Sequence, residues 1–296
     1  MITLPASSLM KSSPSWRALN SLNRWEEPSG RAPLCEGNCM NTMNKVAKVT
    51  LYFWIMKICA TTLGETGGDL LSMTMNVGYA FSSLILLAFF FVTLSIQLAA
   101  KKYHPVIYWL VIVSTSTAGT TISDYMDRTL ELGYFKGSLI LISCLIVILA
   151  VWKFSVGTLS VDNIQTRKAE AFYWTAILFS NTLGTALGDF LADSSGLGFM
   201  GGAVLIGGLL GMVVGLYYFT RINRVVLFWI AFVLTRPFGA TFGDVLTKPI
   251  ANGGLNLGTI GSSIVLASIL VVLVIYTTWN HQDVATNEEL KAKSVG

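Results

Sequence analysis

The sequence is short of charge. Asp, Glu, Lys and Arg make up 12% of its 296 residues, where a soluble domain carries about 25%. That is too little to clothe a water-facing globular surface. There are two histidines, His104 and His281, and four scattered cysteines. The clustered soft ligands that zinc or copper sites require are therefore missing. Cys35 and Cys39 form a CxxxC with no further ligand nearby, so no metal is expected there, and Cys59 and Cys144 read as packing residues in apolar helices. No Ser-His pairing and no HExxH occurs, which removes the common hydrolase signatures. The net charge of +4 sits in short loops rather than in a basic patch, so no nucleic-acid partner is expected. Residues 1–44 lack an apolar run and so the core of a signal peptide. They read as a disordered tail, or as an over-long gene start with the natural start at Met40 or Met43.

What is present is apolar. Hydrophobic residues reach 53%, and mean hydropathy is +0.63. Eight apolar segments run at about 49–71, 79–98, 106–126, 136–153, 170–191, 199–219, 225–246 and 259–279. Each approaches the ~20 residues that cross ~30 Å of hydrocarbon as a helix, and lipid requires helices because it cannot bond free backbone groups. The expected fold class is an all-α membrane protein with eight transmembrane helices.

A repeat organises these segments. An aromatic–Trp pair is followed ten residues later by Gly and fifteen later by Asp: Trp54/Gly64/Asp69, Trp109/Gly119/Asp124, Trp174/Gly184/Asp189 and Trp229/Gly239/Asp244. A second glycine follows each Trp by twenty-four residues: Gly78, Gly133, Gly198 and Gly253. Four copies mean one supersecondary unit reused: a motif helix, then a plainer apolar helix. Two helices return the chain to its starting side, so the four repeats are expected to be parallel. Trp-to-Trp spacing is 55, 65 and 55 residues, which divides the chain into repeats 1–2 (45–155), a connection (156–168), repeats 3–4 (169–280) and a C-terminal tail (281–296). Lys45, Lys48, Lys101, Lys102, Lys153, Arg167, Lys168, Arg221 and Arg224 fall where motif helices begin. The positive-inside rule then places both termini in the cytoplasm, with each Trp ring near the cytoplasmic interface and each motif Asp about 22 Å further along.

Helical phase gives every motif helix a polar stripe at positions 0, +7, +11, +14, +15 and +18 from its Trp. Intramembrane acids mark functional sites by default, and like charges brought together need protons or cations. Glu65, Asp69, Asp124, Asp189 and Asp244 are therefore the candidate cation ligands, supported by Arg236, Asp127, Asp193, Thr61, Thr120, Thr185 and Lys57. Arg236 lies deep and needs a partner, Glu65 first; Pro237 beside it should disturb its helix. Lys57 either joins this interior or snorkels to the interface. Small residues such as Gly119, Thr120 and Ser123 also have a purely packing reading. The plainer helices read as packing and lipid contact, so the motif helices are expected at the centre.

The segments YFWIMKICATTLGETGGD (52–69), YWLVIVSTSTAGTTISD (108–124), YWTAILFSNTLGTALGD (173–189) and FWIAFVLTRPFGATFGD (228–244) resemble a bacterial membrane-protein family defined by a repeat of unknown function, in four tandem two-helix copies. The resemblance covers about residues 45–280. It implies eight helices and an inner-membrane location, and supplies neither substrate nor cofactor. The residues themselves point to a transporter or channel for a proton or a hard divalent metal, whose oxygen ligands these would be. A structural or sensory scaffold is the alternative. An intramembrane aspartyl hydrolase fits less well, because the first Gly of GxGD is replaced by Thr66, Ala186 or Thr241. No enzymatic activity and no cofactor is expected; the partners are the lipid bilayer and the cation.

Overall fold

The computed structural model describes residues 46–47, 49–100, 103–161, 164 and 166–295, with the backbone alone at 252 and 280–295. The N-terminal tail, its CxxxC, and Lys45, Lys48, Lys101 and Lys102 lie outside the described residues. The described residues form eight long α-helices and no strand: α1 (Leu51–Asp69), α2 (Tyr79–Ala99), α3 (Pro105–Asp124), α4 (Tyr134–Val156), α5 (Arg167–Asp189), α6 (Gly198–Phe219), α7 (Arg224–Thr247) and α8 (Thr259–Val295). The segment expected as a C-terminal tail continues α8. Six helices are long and apolar enough to cross a membrane. The other two fall short, α1 because Lys57 and Glu65 dilute it and α5 because Tyr173, Thr175, Asn181, Thr182 and Thr185 interrupt its apolar stretch.

Local chemistry sets the helix starts. Thr50 accepts from the Phe53 amide, Thr166 from that of Ala169 and Asn223 from that of Val225, each satisfying an amide that the first turn leaves unpaired. Pro105 opens α3, where the missing N–H costs nothing. Three motif helices run on into a wide turn, Leu70–Thr74, Tyr125–Thr129 and Phe190–Ser194. The chain then reverses through a left-handed residue (Asn76, Glu131, Gly196) and a left-handed glycine (Gly78, Gly133, Gly198). The fourth reversal uses Asn256 and Gly258 and takes in an extra turn, Ile250–Asn252. Gly258, and not Gly253, is therefore the fourth reversal glycine, and constant spacing from the Trp misplaces it by that insertion.

The motif helices α1, α3, α5 and α7 form a closed ring in which α1 packs on α3, α3 on α5, α5 on α7 and α7 on α1. The plainer helices lie outside it. Each packs chiefly on the motif helix of the following repeat: α2 on α3, α4 on α5, α6 on α7, and α8 back on α1. A bond of 2.9 Å between the Ser263 and Thr66 hydroxyls fastens that closure. Each outer helix buries one stripe, such as Ser82, Phe90, Thr93 and Gln97 of α2, and exposes rows of Leu, Ile, Val and Phe on its other faces.

The repeated glycines set the ring's tightness. A Cβ on Gly64 would strike Ser116, on Gly119 the backbone at Asn181–Thr182, on Gly184 Arg236, and on Gly239 Thr61. In every case the +10 glycine of one repeat receives the +7 residue of the next. Close approach of this kind is what small residues provide in apolar bundles. α7 runs unbroken through Pro237, whose ring also lies against Gly184.

Candidate functional site: a buried charged axis

One turn apart, the polar positions of the four ring helices stack into layers. At the starting end the axis is closed by rings. Phe53 meets Trp109, Tyr108 meets Trp174 and Phe228 meets Trp54, with centroids 5.7, 5.5 and 5.8 Å apart. The Tyr108 and Tyr173 hydroxyls bond at 2.6 Å. Trp109, Trp174 and Trp229 are buried within the protein here, because each is clamped by the preceding repeat or by an outer helix.

Lys57 forms the next layer and is fully buried, which overturns snorkelling. Its ammonium bonds to Asn181 Oδ1 at 3.4 Å and lies 4.0 Å from the Phe232 ring centre. Asn181 in turn donates to Thr115 at 3.0 Å. Four residues further along the helices lie Thr61, Ser116, Asn181 and Arg236, all fully buried. Thr61 bonds to carbonyls of Lys57, Ile58 and Thr235.

The expected Arg236–Glu65 pair is present: Nη1 lies 3.1 Å from Oε2. The guanidinium also donates to the Thr61 and Ser116 carbonyls and to the Thr120 and Thr185 hydroxyls. Both hydroxyls in addition bond to Glu65 Oε2. One arginine thus touches all three other repeats. A buried ion is tolerable only with such saturation; its Nε alone lacks a partner.

The four motif aspartates are buried at the far end of the ring. Arg128 bonds to Asp124 at 3.1 Å and to Asp189 at 3.4 Å. Lys248 bonds to Asp244 and to Asp69, each at 3.2 Å. Burial lowers the pKa of the Lys248 ammonium, and Asp244 and Asp69 more than reverse that, raising it above the ordinary lysine value. Each cation joins its own repeat to the next, at two of the four seams. Sequence carried a signal for this pairing: nineteen residues after the Trp stand Met73, Arg128, Asp193 and Lys248, so even-numbered repeats bring the cation.

Two supporting candidates lie off the axis. Asp127 accepts from Ser123 at 3.3 Å and abuts Gly137 of α4. Asp193 is exposed and accepts from Tyr134 at 3.2 Å. Both acids face α4 instead of the ring aspartates. Glu65, Asp189 and Asp244, in contrast, bring one carboxylate oxygen each within 4.8 Å of one another. Chemically, that arrangement offers hard oxygen ligands from three different repeats.

No curated protein and no solved structure matches the chain. A family model does match, in four tandem copies at residues 52–103, 107–158, 172–223 and 227–283. Those copies coincide with the four helix pairs of the ring, the fourth being five residues longer where the extra turn enters. The chain belongs to the family defined by the Repeat of Unknown Function (DUF347).

Proposed function

We propose that the chain spans the bacterial inner membrane eight times, termini in the cytoplasm, and passes a proton or a hard divalent cation along its axis. The observation that carries this reading is the convergence of Glu65, Asp189 and Asp244 within 4.8 Å. Five axial carboxylates, Asp69 and Asp124 included, face Arg236, Arg128 and Lys248. With Lys57, buried one layer beyond Arg236, counted as a fourth cation, one negative charge is still left over, and like charges held together in a buried site require protons or a cation. Although α1 and α5 are the least apolar helices, a span inside a ring of others needs no apolar surface. The protein is read as a carrier rather than an enzyme, with no cofactor; its cargo is a substrate and not a resident metal.

The test is flux in proteoliposomes for protons, Mg²⁺, Mn²⁺ and Ca²⁺, comparing the natural protein with Asp189→Asn and Asp124→Asn. Flux that falls strongly in Asp189→Asn is the expected result. No flux of any of these ions would overturn the proposal.

A second reading, the structural scaffold, is favoured by one observation: Arg128 and Lys248 each hold two ring aspartates across a seam. On that reading Asp124→Asn changes stability alone and leaves no flux to measure.

A further inference from the structure

A groove of about 220 Å³ runs along the outside of the seam between α7 and α1, roofed on one side by α6. Trp54, Ile58, Val213, Tyr217, Leu227 and Ala231 are among its lining residues, and all but the tips of its tyrosines and Thr235 are apolar. It extends from the level of Leu227 to that of Thr235, about 12 Å at 1.5 Å per residue. That is close to the depth of one leaflet, half of ~30 Å of hydrocarbon.

The second repeat shows the same place filled. There Trp152 of α4 is buried against Tyr173 of α5 and Trp229 of α7. Trp152 stands nineteen residues after the reversal glycine Gly133, and the same count from Gly198 reaches Tyr217. Tyr217 is smaller, and its ring stacks on Arg224, whose guanidinium carbon lies 4.0 Å from the ring centre. The same guanidinium donates to the Tyr217 carbonyl. The groove therefore ends at an exposed arginine held in place, with exposed Arg221 in the same short loop.

We infer that this groove binds one anionic phospholipid, its acyl chain along α1 and α7 and its phosphate on Arg224 and Arg221. An apolar trough of one-leaflet length suits a chain, and an arginine positioned at its mouth, with a second in the same short loop, suits a phosphodiester. Basic sites between helices at the membrane surface recognise anionic headgroups in this way. The inference rests on the chain spanning a bilayer, and not on any cation passing through it.

Native mass spectrometry of the purified full chain, equilibrated with phosphatidylglycerol or with phosphatidylcholine, tests it. One phosphatidylglycerol should be retained in preference to phosphatidylcholine. Arg224→Gln should reduce that preference about five-fold, the ratio for ~1 kcal/mol per surface arginine, and Arg221→Gln should add to the loss. Ala231→Trp, which fills the groove as Trp152 fills its counterpart, should lower retention of both lipids. No preference in the natural protein, or equal retention in it and the arginine variants, would overturn the proposal. Both arginines are exposed, so folding of their variants is not at stake. Resistance of the protein to alkaline carbonate extraction checks the membrane reading separately, so its failure is distinguishable from loss of the lipid site.

Discussion

At the scale of single residues, Arg236 is held from every other repeat of the ring. It is fully buried, it holds Glu65, and it reaches all three other repeats. Removing it leaves the Glu65 carboxylate buried without its cation, so Arg236→Ala should cost about 3–5 kcal/mol. Arg128 also holds two buried carboxylates, but its own side chain is 32% exposed and water reaches the site, so Arg128→Ala should cost less, about 1–3 kcal/mol. Thermal unfolding in detergent measures both, and equal losses would contradict the ranking. Glycine makes a similar contrast. Gly239→Ala drives a methyl into Thr61 and should cost about 1–3 kcal/mol by overpacking. Gly211→Ala meets nothing within 4 Å, so it should be neutral or stabilising by up to ~1 kcal/mol through helix propensity.

At the scale of elements, the outer helices differ in how firmly they are keyed to the ring. α4 inserts Trp152 between Tyr173 and Trp229, while Phe154, two residues on, is 89% exposed. Trp152→Ala should cost about 3–5 kcal/mol, as for other large buried aromatics. Phe154→Ala should stay within about 0.5 kcal/mol, as surface changes do. A comparison of the two by the same unfolding assay would refute the keyed packing if the losses were alike. The connection before α5 takes part in this packing too. Val161 and Ile164 are buried, and the Leu159 carbonyl accepts from the Trp229 indole at 3.1 Å. The described residues of the connection that carries the ten-residue difference in repeat spacing thus pack on the ring.

At the scale of the whole molecule, the ring closes head to tail, with α8 covering α1. Cysteines placed at Thr66 and Ser263, whose hydroxyls lie 2.9 Å apart, should form a disulfide in a background lacking the natural cysteines, since side-chain atoms this close meet the geometry such a bond needs. The cross-link would join positions 197 residues apart and would show as a reduction-sensitive change in gel mobility. Absence of the bond under oxidation would argue against closure. Closure also explains why the sequence duplication and the ion pairs divide the ring differently. Spacing groups repeats 1 with 2 and 3 with 4, whereas Arg128 ties 2 to 3 and Lys248 ties 4 to 1. The cation in each half's second repeat reaches forward to the next half.

The sequence by itself determined the four repeats, the eight helices and, the far end of α8 excepted, their ends to within a few residues, because hydrophobic period and turn chemistry are local. It also determined the shared polar face, and with it the burial of Glu65 and the four aspartates, since one helical phase carries them all. Where those faces meet was decided only by tertiary structure. The +7 side chains seat on the +10 glycines of the previous repeat, each outer helix serves its neighbour's motif helix, and the fourth reversal shifts from Gly253 to Gly258. Lys57 is kept from the surface, and Asp127 and Asp193 are turned off the axis, for the same reason. A side chain's phase on its own helix fixes its direction, but which neighbour it meets depends on how the other helices pack against it.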